Sequence, residues 1–204
     1  ASAGDLLALQ PVIEALRRAQ PELAIIVSSM TESGQEMAKA RMTGIDRLIY
    51  LPWDVPFAVR RAIAAIQPDV LVLEYTELWP NLIQEASSRG VRLVLTNGRI
   101  SPKNLGSYKR LFAVLGNPLK RFDRLLMRSR AEAARAAELG ASEFALRITG
   151  NTKYDNLQPP KAESIETLAK AIQRDANRLL WVCGSTHEGE EAELIEVYKE
   201  LTVR

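Results

Sequence analysis

Short runs of Val, Ile and Leu alternate with helix-like periods along most of this chain, and this alternation constrains the fold most strongly. The runs predict strands at Leu23–Ser28, Arg47–Tyr50, Val70–Leu73, Arg92–Thr96, Arg124–Met127 and Ala145–Ile148. Helical periodicity predicts helices near residues 6–19, 33–42, 56–66, 79–88, 106–114 and 130–139. Because buried parallel strands read as continuous apolar runs, we expect an α/β fold with a Rossmann-like, doubly wound parallel sheet.

A linker interrupts this pattern. Residues 156–161 (NLQPPK) contain two prolines and little apolar content, which is typical of a connection between domains. The sequence then predicts a helix at Ile165–Arg174, a strand at Leu179–Cys183 and a helix at Glu190–Leu201. One such unit cannot bury both faces of its strand. We therefore interpret residues 1–156 as one domain and residues 157–204 as the linker and beginning of a second, incomplete domain.

Composition excludes several classes of function. The single cysteine, Cys183, cannot form an internal disulfide and suits a reducing compartment. No apolar run approaches the roughly 18 residues that span a bilayer. One His and one Cys make a zinc site improbable, and no Walker loop or serine-hydrolase elbow is present. No nucleic-acid motif is visible, so we expect neither a bound metal nor a nucleic-acid partner.

Ligands of open α/β sheets bind beyond the carboxyl ends of the strands, where polar residues gather in this chain. Residues 74–81 (EYTELWPN) combine two carboxylates with the Trp79 indole, a set that suits sugar hydroxyls and a sugar ring. Arg99 suits a carboxylate or phosphate, although a solvated turn is an equal alternative. Residues 28–34 could bind an anion or merely cap a helix, and Lys153 could face an interdomain cleft or serve a turn.

Two further stretches have open interpretations. Gly4-Asp5 precedes a predicted helix, where the carboxylate could cap the helix or act as a general base. The loop 184–189 carries the only histidine, His187, and could place a phosphate on free helix amides.

The segment 101–130 is strongly basic, with eight Lys or Arg against the single acid Asp123. Phe112, Leu115, Leu119 and Phe122 are interleaved with these cations. Such a surface suits anionic lipid headgroups, and an ordinary solvated helix face is the alternative.

Together these loops resemble one family, the bacterial 3-deoxy-D-manno-octulosonic acid (Kdo) transferases of lipopolysaccharide synthesis. The resemblance covers nearly the whole chain, and TELWPN and GSTHEGEE are its specific motifs. The motifs occur in the family's order: ASAGD (1–5), TESG (31–34), LPWDVP (51–56), YTELWPN (75–81), TNGRIS (96–101), GNTKYD (150–155) and GSTHEGEE (184–191).

The resemblance implies an inverting, metal-independent GT-B glycosyltransferase that moves Kdo from CMP-Kdo to a glucosamine hydroxyl of the lipid A precursor. It implies an acceptor-binding first domain and a donor-binding second domain, with no cofactor besides the donor substrate. It also places the enzyme at the cytoplasmic face of the bacterial inner membrane. Attachment there would be peripheral, with segment 101–130 on the anionic surface, or through an N-terminal anchor absent from this sequence.

The resemblance also implies residue roles. Asp5, as general base, and Glu77 are the catalytic positions. The acceptor-binding positions are Ser2, Gly4, Thr31, Trp79, Asn97 and Arg99. The donor-binding positions are Lys153, Ser185, Thr186, His187 and Glu190.

Three features depart from the family pattern. Asp5 stands where the family has Glu, which would set its carboxylate about 1.5 Å back. Tyr75 stands where an acid is common, with Glu74 one place earlier. The family's C-terminal domain is far longer than the part present here. We therefore infer a fragment or truncated gene and expect the 204-residue chain alone to bind CMP-Kdo poorly and not to turn over.

Two other functions stay open at this stage. One is a GT-B transferase or epimerase for a different sugar nucleotide, which the Asp5 and Tyr75 departures make conceivable. The other is a non-catalytic acceptor-domain fragment that binds anionic lipid through residues 101–130.

Overall fold

The computed structural model describes residues 3–155, 159, 162–172, 177 and 179–202, with residues 3–5 described by their backbone alone. The chain divides into two compact units, residues 1–157 and residues 158–204. The assignment of acceptor and donor roles to these two parts of the chain stays a prediction.

The first unit alternates helices and strands as the sequence predicts, with boundaries shifted by a few residues. Its elements are α1 Ala3–Ala19, β1 Ile26–Ser29, α2 Glu32–Arg41, β2 Arg47–Tyr50, α3 Pro56–Ile66, β3 Val70–Glu74, α4 Pro80–Ser88, β4 Arg92–Gly98, α5 Leu105–Leu115, β5 Arg124–Met127, α6 Arg130–Glu138 and β6 Leu146–Ile148. Short 3-10 turns lie at Pro102–Asn104, Pro118–Arg121 and Thr152–Tyr154.

Among the described residues all strand pairs are parallel, and the strands form two sheets where the sequence predicts one. β1 pairs with β2, while β3, β4, β5 and β6 form a second sheet in that order. The apolar runs that reveal parallel strands carry no information about which neighbours pair, so the division could not be foreseen. The α/β class with parallel sheets is confirmed.

Each sheet has its own apolar core. The four-stranded sheet buries Leu93, Leu95, Leu125 and Met127 against residues from the surrounding helices. The two-stranded sheet buries Val27 with residues of α1 and α2, among them Leu6, Ile13 and Ala38.

Local chemistry fixes where several helices begin. The Thr31 hydroxyl accepts a hydrogen bond from the Gly34 amide at 3.1 Å and caps α2, and Ser129 caps α6 in the same way. Pro56 and Pro80 start α3 and α4, where a missing backbone N–H costs nothing. These helix starts place free amides and polar side chains beyond the carboxyl ends of the strands.

The second unit contains α7, Ala162–Ala171, and α8, Glu190–Thr202. The strand predicted at Leu179–Cys183 is wrong, because these residues form no strand and are exposed. A strand needs a neighbour for its backbone N–H and C=O groups, and the described residues of this unit supply none. None of the helices in the described part of the chain is long and apolar enough to cross a membrane.

Candidate functional site

Polar side chains from adjacent strands meet at the carboxyl ends of β3 and β4. Glu74, the last residue of β3, lies in register with Thr96 of β4 and is 5 % exposed. The Thr96 hydroxyl donates to one Glu74 carboxylate oxygen, and Asn97 Nδ2 donates to the other at 2.5 Å. A buried carboxylate is therefore held by two donors from the neighbouring strand, which meets its need for hydrogen bonds.

Asn97 connects this carboxylate to the rest of the unit. Its Nδ2 also donates to Thr152 Oγ1 at 2.7 Å, while its Oδ1 accepts from the Thr152 amide at 2.9 Å. Thr152 Oγ1 then donates to the backbone carbonyl of Ala8 in α1 at 2.5 Å. The side chain of Asn97 is 1 % exposed, so it touches protein groups and not open solvent. Contact of Asn97 with an acceptor stays a prediction, and its observed role is to join two strand ends to α1.

Two non-glycine residues at these strand ends have left-handed backbones. Tyr75 has φ of 54° and Asn97 has φ of 49°, values that are costly for most L-residues. Hydrogen bonds hold the region, because the Tyr75 amide donates to the Thr96 carbonyl at 3.0 Å and its carbonyl accepts from the Arg99 amide at 3.2 Å. The Arg128 guanidinium lies 5.8 Å from the centre of the Tyr75 ring.

Glu77 and Trp79, predicted to act in catalysis and acceptor binding, contact each other. Trp79 Nε1 donates to Glu77 Oε2 at 2.6 Å. The indole is half-buried and packs against the core of the four-stranded sheet. The predicted sugar platform is therefore also a packing element, and the donated hydrogen bond orients the Glu77 carboxylate.

The motifs LPWDVP and TELWPN form one structural unit. The Asp54 carboxylate accepts from the Leu82 amide at 2.8 Å and from the Asn81 amide at 3.2 Å. Asn81 Nδ2 returns a hydrogen bond to the Asp54 carbonyl at 2.7 Å. A carboxylate at the first turn of α4 satisfies free amides and complements the helix dipole. The loop after β2 thereby fixes the start of the helix that follows Trp79.

The remaining predicted acceptor positions have simpler surroundings. Arg99 is exposed, and the Thr31 hydroxyl is engaged in capping α2. Ser2 lies outside the described residues, and only the backbone of Gly4 and Asp5 is described. The prediction that Gly4-Asp5 precedes a helix is wrong, because α1 begins at Ala3 and both residues lie in its first turn. The small residues before Asp5 do not stop the helix from starting earlier.

The predicted donor positions lie in two places. Lys153 is exposed in the first unit, in the 3-10 turn that also contains Thr152. The others lie in the second unit, at the start of α8. There the His187 amide donates to Glu190 Oε2 at 3.0 Å, and Ser185 has φ of 59°. A phosphate at this helix start would have to displace the Glu190 carboxylate from that amide.

The acidic start of α8 shows its own electrostatics. The Thr186 hydroxyl donates to the Glu191 carboxylate and is the main cause that lowers the pKa of Glu191, with a contribution from its own backbone amide. Glu190, Glu191 and Glu193 all lie in the first turn of α8. Carboxylates here complement the helix dipole, and they also compete with any bound anion.

Several polar residues of the site could not be singled out from the sequence. Thr96, Thr152 and Asp54 make its hydrogen bonds, whereas Glu74 is one of the two carboxylates that the sequence predicts to orient sugar hydroxyls. Glu74 can be recognised because it is a carboxylate that directly follows the apolar run VLVL at the end of a strand. Thr152 carried no such signal, since its partners Asn97 and Ala8 lie 55 and 144 residues away in sequence.

The basic segment 101–130 is largely exposed but differs from the prediction in its apolar part. Leu119 and Phe122 are 1 % and 5 % exposed and belong to the core of the four-stranded sheet. The exposed apolar side chains are instead Leu111, Val114 and Leu115 on α5. The cations exposed beside them in sequence are Lys103, Lys109, Arg110, Lys120, Arg121, Arg124 and Arg130.

Within the described part of the chain, no three His, Cys, Asp or Glu side chains gather as metal ligands would.

The chain resembles solved sugar-nucleotide enzymes in fold. A UDP-GlcNAc 2-epimerase from Neisseria meningitidis, solved with UDP-GlcNAc, matches with a TM-score of 0.57 and 14 % identity over 82 % of this chain and 48 % of that one. Another UDP-N-acetylglucosamine 2-epimerase matches with a TM-score of 0.56 and 11 % identity over 82 % and 50 % of the two chains. At these identities the likeness shows the fold alone, a GT-B-type, Rossmann-like α/β fold.

The sequence comparisons are more specific. The family model described as 3-deoxy-D-manno-octulosonic-acid transferase (kdotransferase) matches residues 1–156. The transferase of that name from Haemophilus influenzae is 31 % identical over 205 residues, covering 100 % of this chain and 48 % of the relative. The one from Bordetella pertussis is 31 % identical over 198 residues, covering 96 % and 45 %. The chain belongs to the Kdo transferase family, and it spans about half the length of these curated relatives.

Proposed function

We propose that this chain is part of a Kdo transferase that moves Kdo from CMP-Kdo to a glucosamine hydroxyl of the lipid A precursor. The observation that carries the proposal is the family match over residues 1–156, the part of the chain that contains Glu74 at the end of β3 and Asp5 in the first turn of α1. We further propose that the reaction inverts the anomeric carbon and needs neither a metal nor a cofactor.

The proposed chemistry is a single displacement. The Asp5 carboxylate takes the proton from the acceptor hydroxyl, and that oxygen forms a bond to the anomeric carbon of Kdo. The bond between that carbon and the phosphate oxygen breaks in the same step, and CMP leaves with the electron pair. A base within hydrogen-bond reach of the hydroxyl typically contributes about 10²–10⁴-fold to such a step.

The neighbouring groups supply orientation and charge. Glu77, held by the Trp79 indole, acts as the second carboxylate of the site and orients sugar hydroxyls. Ser2, Gly4, Thr31, Trp79 and Arg99 are proposed to contact the acceptor, with Arg99 facing one of its anionic groups. Lys153, Ser185, Thr186, His187 and Glu190 are proposed to contact the donor.

We also propose that residues 101–130 rest on the anionic cytoplasmic surface of the inner membrane. Seven of the segment's eight cations are exposed, and α5 presents Leu111, Val114 and Leu115 beside Lys109 and Arg110. Lys109 is paired with Glu138 at 2.6 Å, so the attraction rests mainly on the other exposed cations. A basic surface with exposed aliphatic side chains combines the two forces that hold proteins at membrane interfaces.

A sugar-nucleotide epimerase is the alternative function, because the solved structures of similar fold compared above are epimerases. Those neighbours share 11–14 % identity with this chain and therefore support its fold and not its reaction. The family match favours transfer of Kdo over epimerisation.

The test is a substrate screen with the product of the complete gene. The protein is incubated with a lipid A precursor and either CMP-Kdo or UDP-N-acetylglucosamine, and the products are read by mass spectrometry. The proposal expects Kdo-bearing lipid with CMP-Kdo and no epimerised sugar with the UDP compound. Epimerisation without Kdo transfer would contradict it.

A further inference from the structure

We propose that Asn97 and Thr152 are positioning residues that hold α1, and with it Asp5, against the carboxyl ends of β3 and β4. The catalytic consequence of this inference rests on the function proposed above, because the position of Asp5 affects the rate only if its carboxylate takes the acceptor's proton. The anchoring itself stands on the hydrogen bonds alone.

The direction of each hydrogen bond follows from the buried carboxylate. Glu74 can only accept from Asn97, so the amide nitrogen of Asn97 faces Glu74 and its oxygen faces the Thr152 amide. The second proton of that nitrogen goes to Thr152 Oγ1. The Thr152 hydroxyl, having accepted this bond, donates its own proton to the Ala8 carbonyl. The buried Glu74 carboxylate thus fixes the direction of each hydrogen bond that leads from it to α1.

The point of attachment on α1 is a weak place in that helix. Pro11 lies inside α1 and has no N–H for the carbonyl of Leu7, the residue directly before Ala8. Ala8 is buried, and its small side chain lets Thr152 approach the helix backbone. Ala8 also follows Asp5 by three residues, about one turn. The Thr152 bond therefore restrains the helix at the proline-weakened turn, next to the turn that carries Asp5.

Among the described residues, Gln10 and Arg17 also attach α1 to the rest of the unit, but their partners lie elsewhere. Gln10 exchanges hydrogen bonds with Thr43, its Nε2 donating at 2.8 Å and its Oε1 accepting from the Thr43 amide at 3.1 Å. Arg17 pairs with Asp46 at 2.8 Å. Both residues attach α1 to the connection between α2 and β2, and Arg17 also donates to the Pro21 and Leu23 carbonyls before β1. None of these partners belongs to β3 or β4. Thr43 therefore offers a matched control, because Thr43→Val also removes a hydroxyl that bonds α1.

The first experiment measures the anchoring without any activity. Hydrogen exchange is followed in the complete gene product for wild type, Thr152→Val and Thr43→Val. The proposal expects the amides of residues 6–10 and 12 to exchange about tenfold faster in Thr152→Val than in Thr43→Val, with the amides of β4 unchanged in both. Equal exchange of these amides in the two variants overturns the proposal.

The second experiment measures the catalytic consequence. Small displacements of a catalytic group are costly, so Thr152→Val should lower kcat by about tenfold or more with little change in KM for CMP-Kdo. Thr152→Ser keeps the hydroxyl and should restore most of kcat, and Thr43→Val should leave it unchanged. Equal kcat in Thr152→Val and wild type overturns the proposal. If wild type transfers no Kdo, the proposed function has failed, while hydrogen exchange still decides the anchoring.

Discussion

Trp79 Nε1 donates a hydrogen bond of 2.6 Å to Glu77 Oε2, so these two residues of the TELWPN motif form one unit. The indole packs into the core of the four-stranded sheet on one side and holds a carboxylate on the other. This arrangement separates two roles of Trp79, packing and orientation, which substitutions can test independently.

Trp79→Phe should keep most of the packing and lose the N–H donor. We expect Kdo transfer to fall by about tenfold, because Glu77 loses one orienting bond, while the melting temperature changes little. Trp79→Ala should also cost about 2 kcal/mol of stability through lost apolar burial. Trp53→Phe, at an indole that is 79 % exposed, is the control and should change neither quantity. Normal transfer by Trp79→Phe would refute the orienting role.

Gly34→Ala should destabilise the first unit. A Cβ at this position would lie 2.2 Å from Ser29 Oγ and 2.9 Å from Thr31 Oγ1, and Ser29 is itself buried. We expect a loss of about 1–3 kcal/mol from overpacking, measured by urea unfolding. Gly106→Ala is the matched control. It also replaces a helical glycine, but a Cβ at that position would meet nothing within 4 Å. A Gly34→Ala variant as stable as Gly106→Ala would contradict the close packing of α2 on the end of β1.

Asp46→Asn should reveal a pH-dependent contribution to stability. The Ile25 amide, at 2.7 Å, and then the Arg17 guanidinium lower the pKa of Asp46 below its ordinary value. A lowered folded-state pKa stabilises the protein fully above the unfolded value of about 4, and this is lost as pH falls through the folded value.

The difference in stability between wild type and Asp46→Asn should therefore persist from neutral pH to about pH 4 and then vanish on further acidification. Urea unfolding over this range measures it. Glu36→Gln, at an exposed position of α2, controls for the removal of one negative charge. If the stability difference between wild type and Asp46→Asn grew as pH fell, the pKa of Asp46 would not be lowered by folding.

The sequence predicts the strands and helices of the first unit well because each strand coincides with a short apolar run and each helix with a helical period. It ends β4 at Thr96 and misplaces Asn97 and Gly98, which look like loop residues but are the last two residues of β4. Asn97 can be buried there only because Glu74 and Thr152 satisfy its amide, and these partners come from distant parts of the chain. A short-range pattern cannot show such a partner.

The same limit explains two other errors. Leu119 and Phe122 look like the apolar part of a basic surface, yet they turn inward to the core. Cations flank them in sequence whether these side chains are buried or exposed, so composition cannot show which of the two holds. Residues 179–183 have the apolar composition of a strand, but a strand exists only when another strand pairs with it.

Charge reversal should show whether residues 101–130 bind anionic membranes more strongly than other basic parts of the surface do. Lys120→Glu with Arg121→Glu should weaken binding to anionic vesicles by at least about tenfold, because each cation near such a surface contributes roughly 1 kcal/mol. Arg60→Glu with Arg61→Glu makes the same charge change on exposed residues of α3 and should matter much less. Co-sedimentation measures both. Equal loss in the two variants, or binding that ignores salt, would argue against a defined membrane surface.

The most direct test of the account is the transfer rate of Asp5 variants of the complete gene product, measured with CMP-Kdo and a lipid A precursor. Without a carboxylate at this position the acceptor hydroxyl keeps its proton, so Asp5→Asn should lower kcat by about 10²-fold or more. Asp5→Glu, which restores the family's residue, should transfer Kdo as fast as wild type or faster. Transfer by Asp5→Asn at the wild-type rate would show that Asp5 is not the base and would contradict the proposed mechanism.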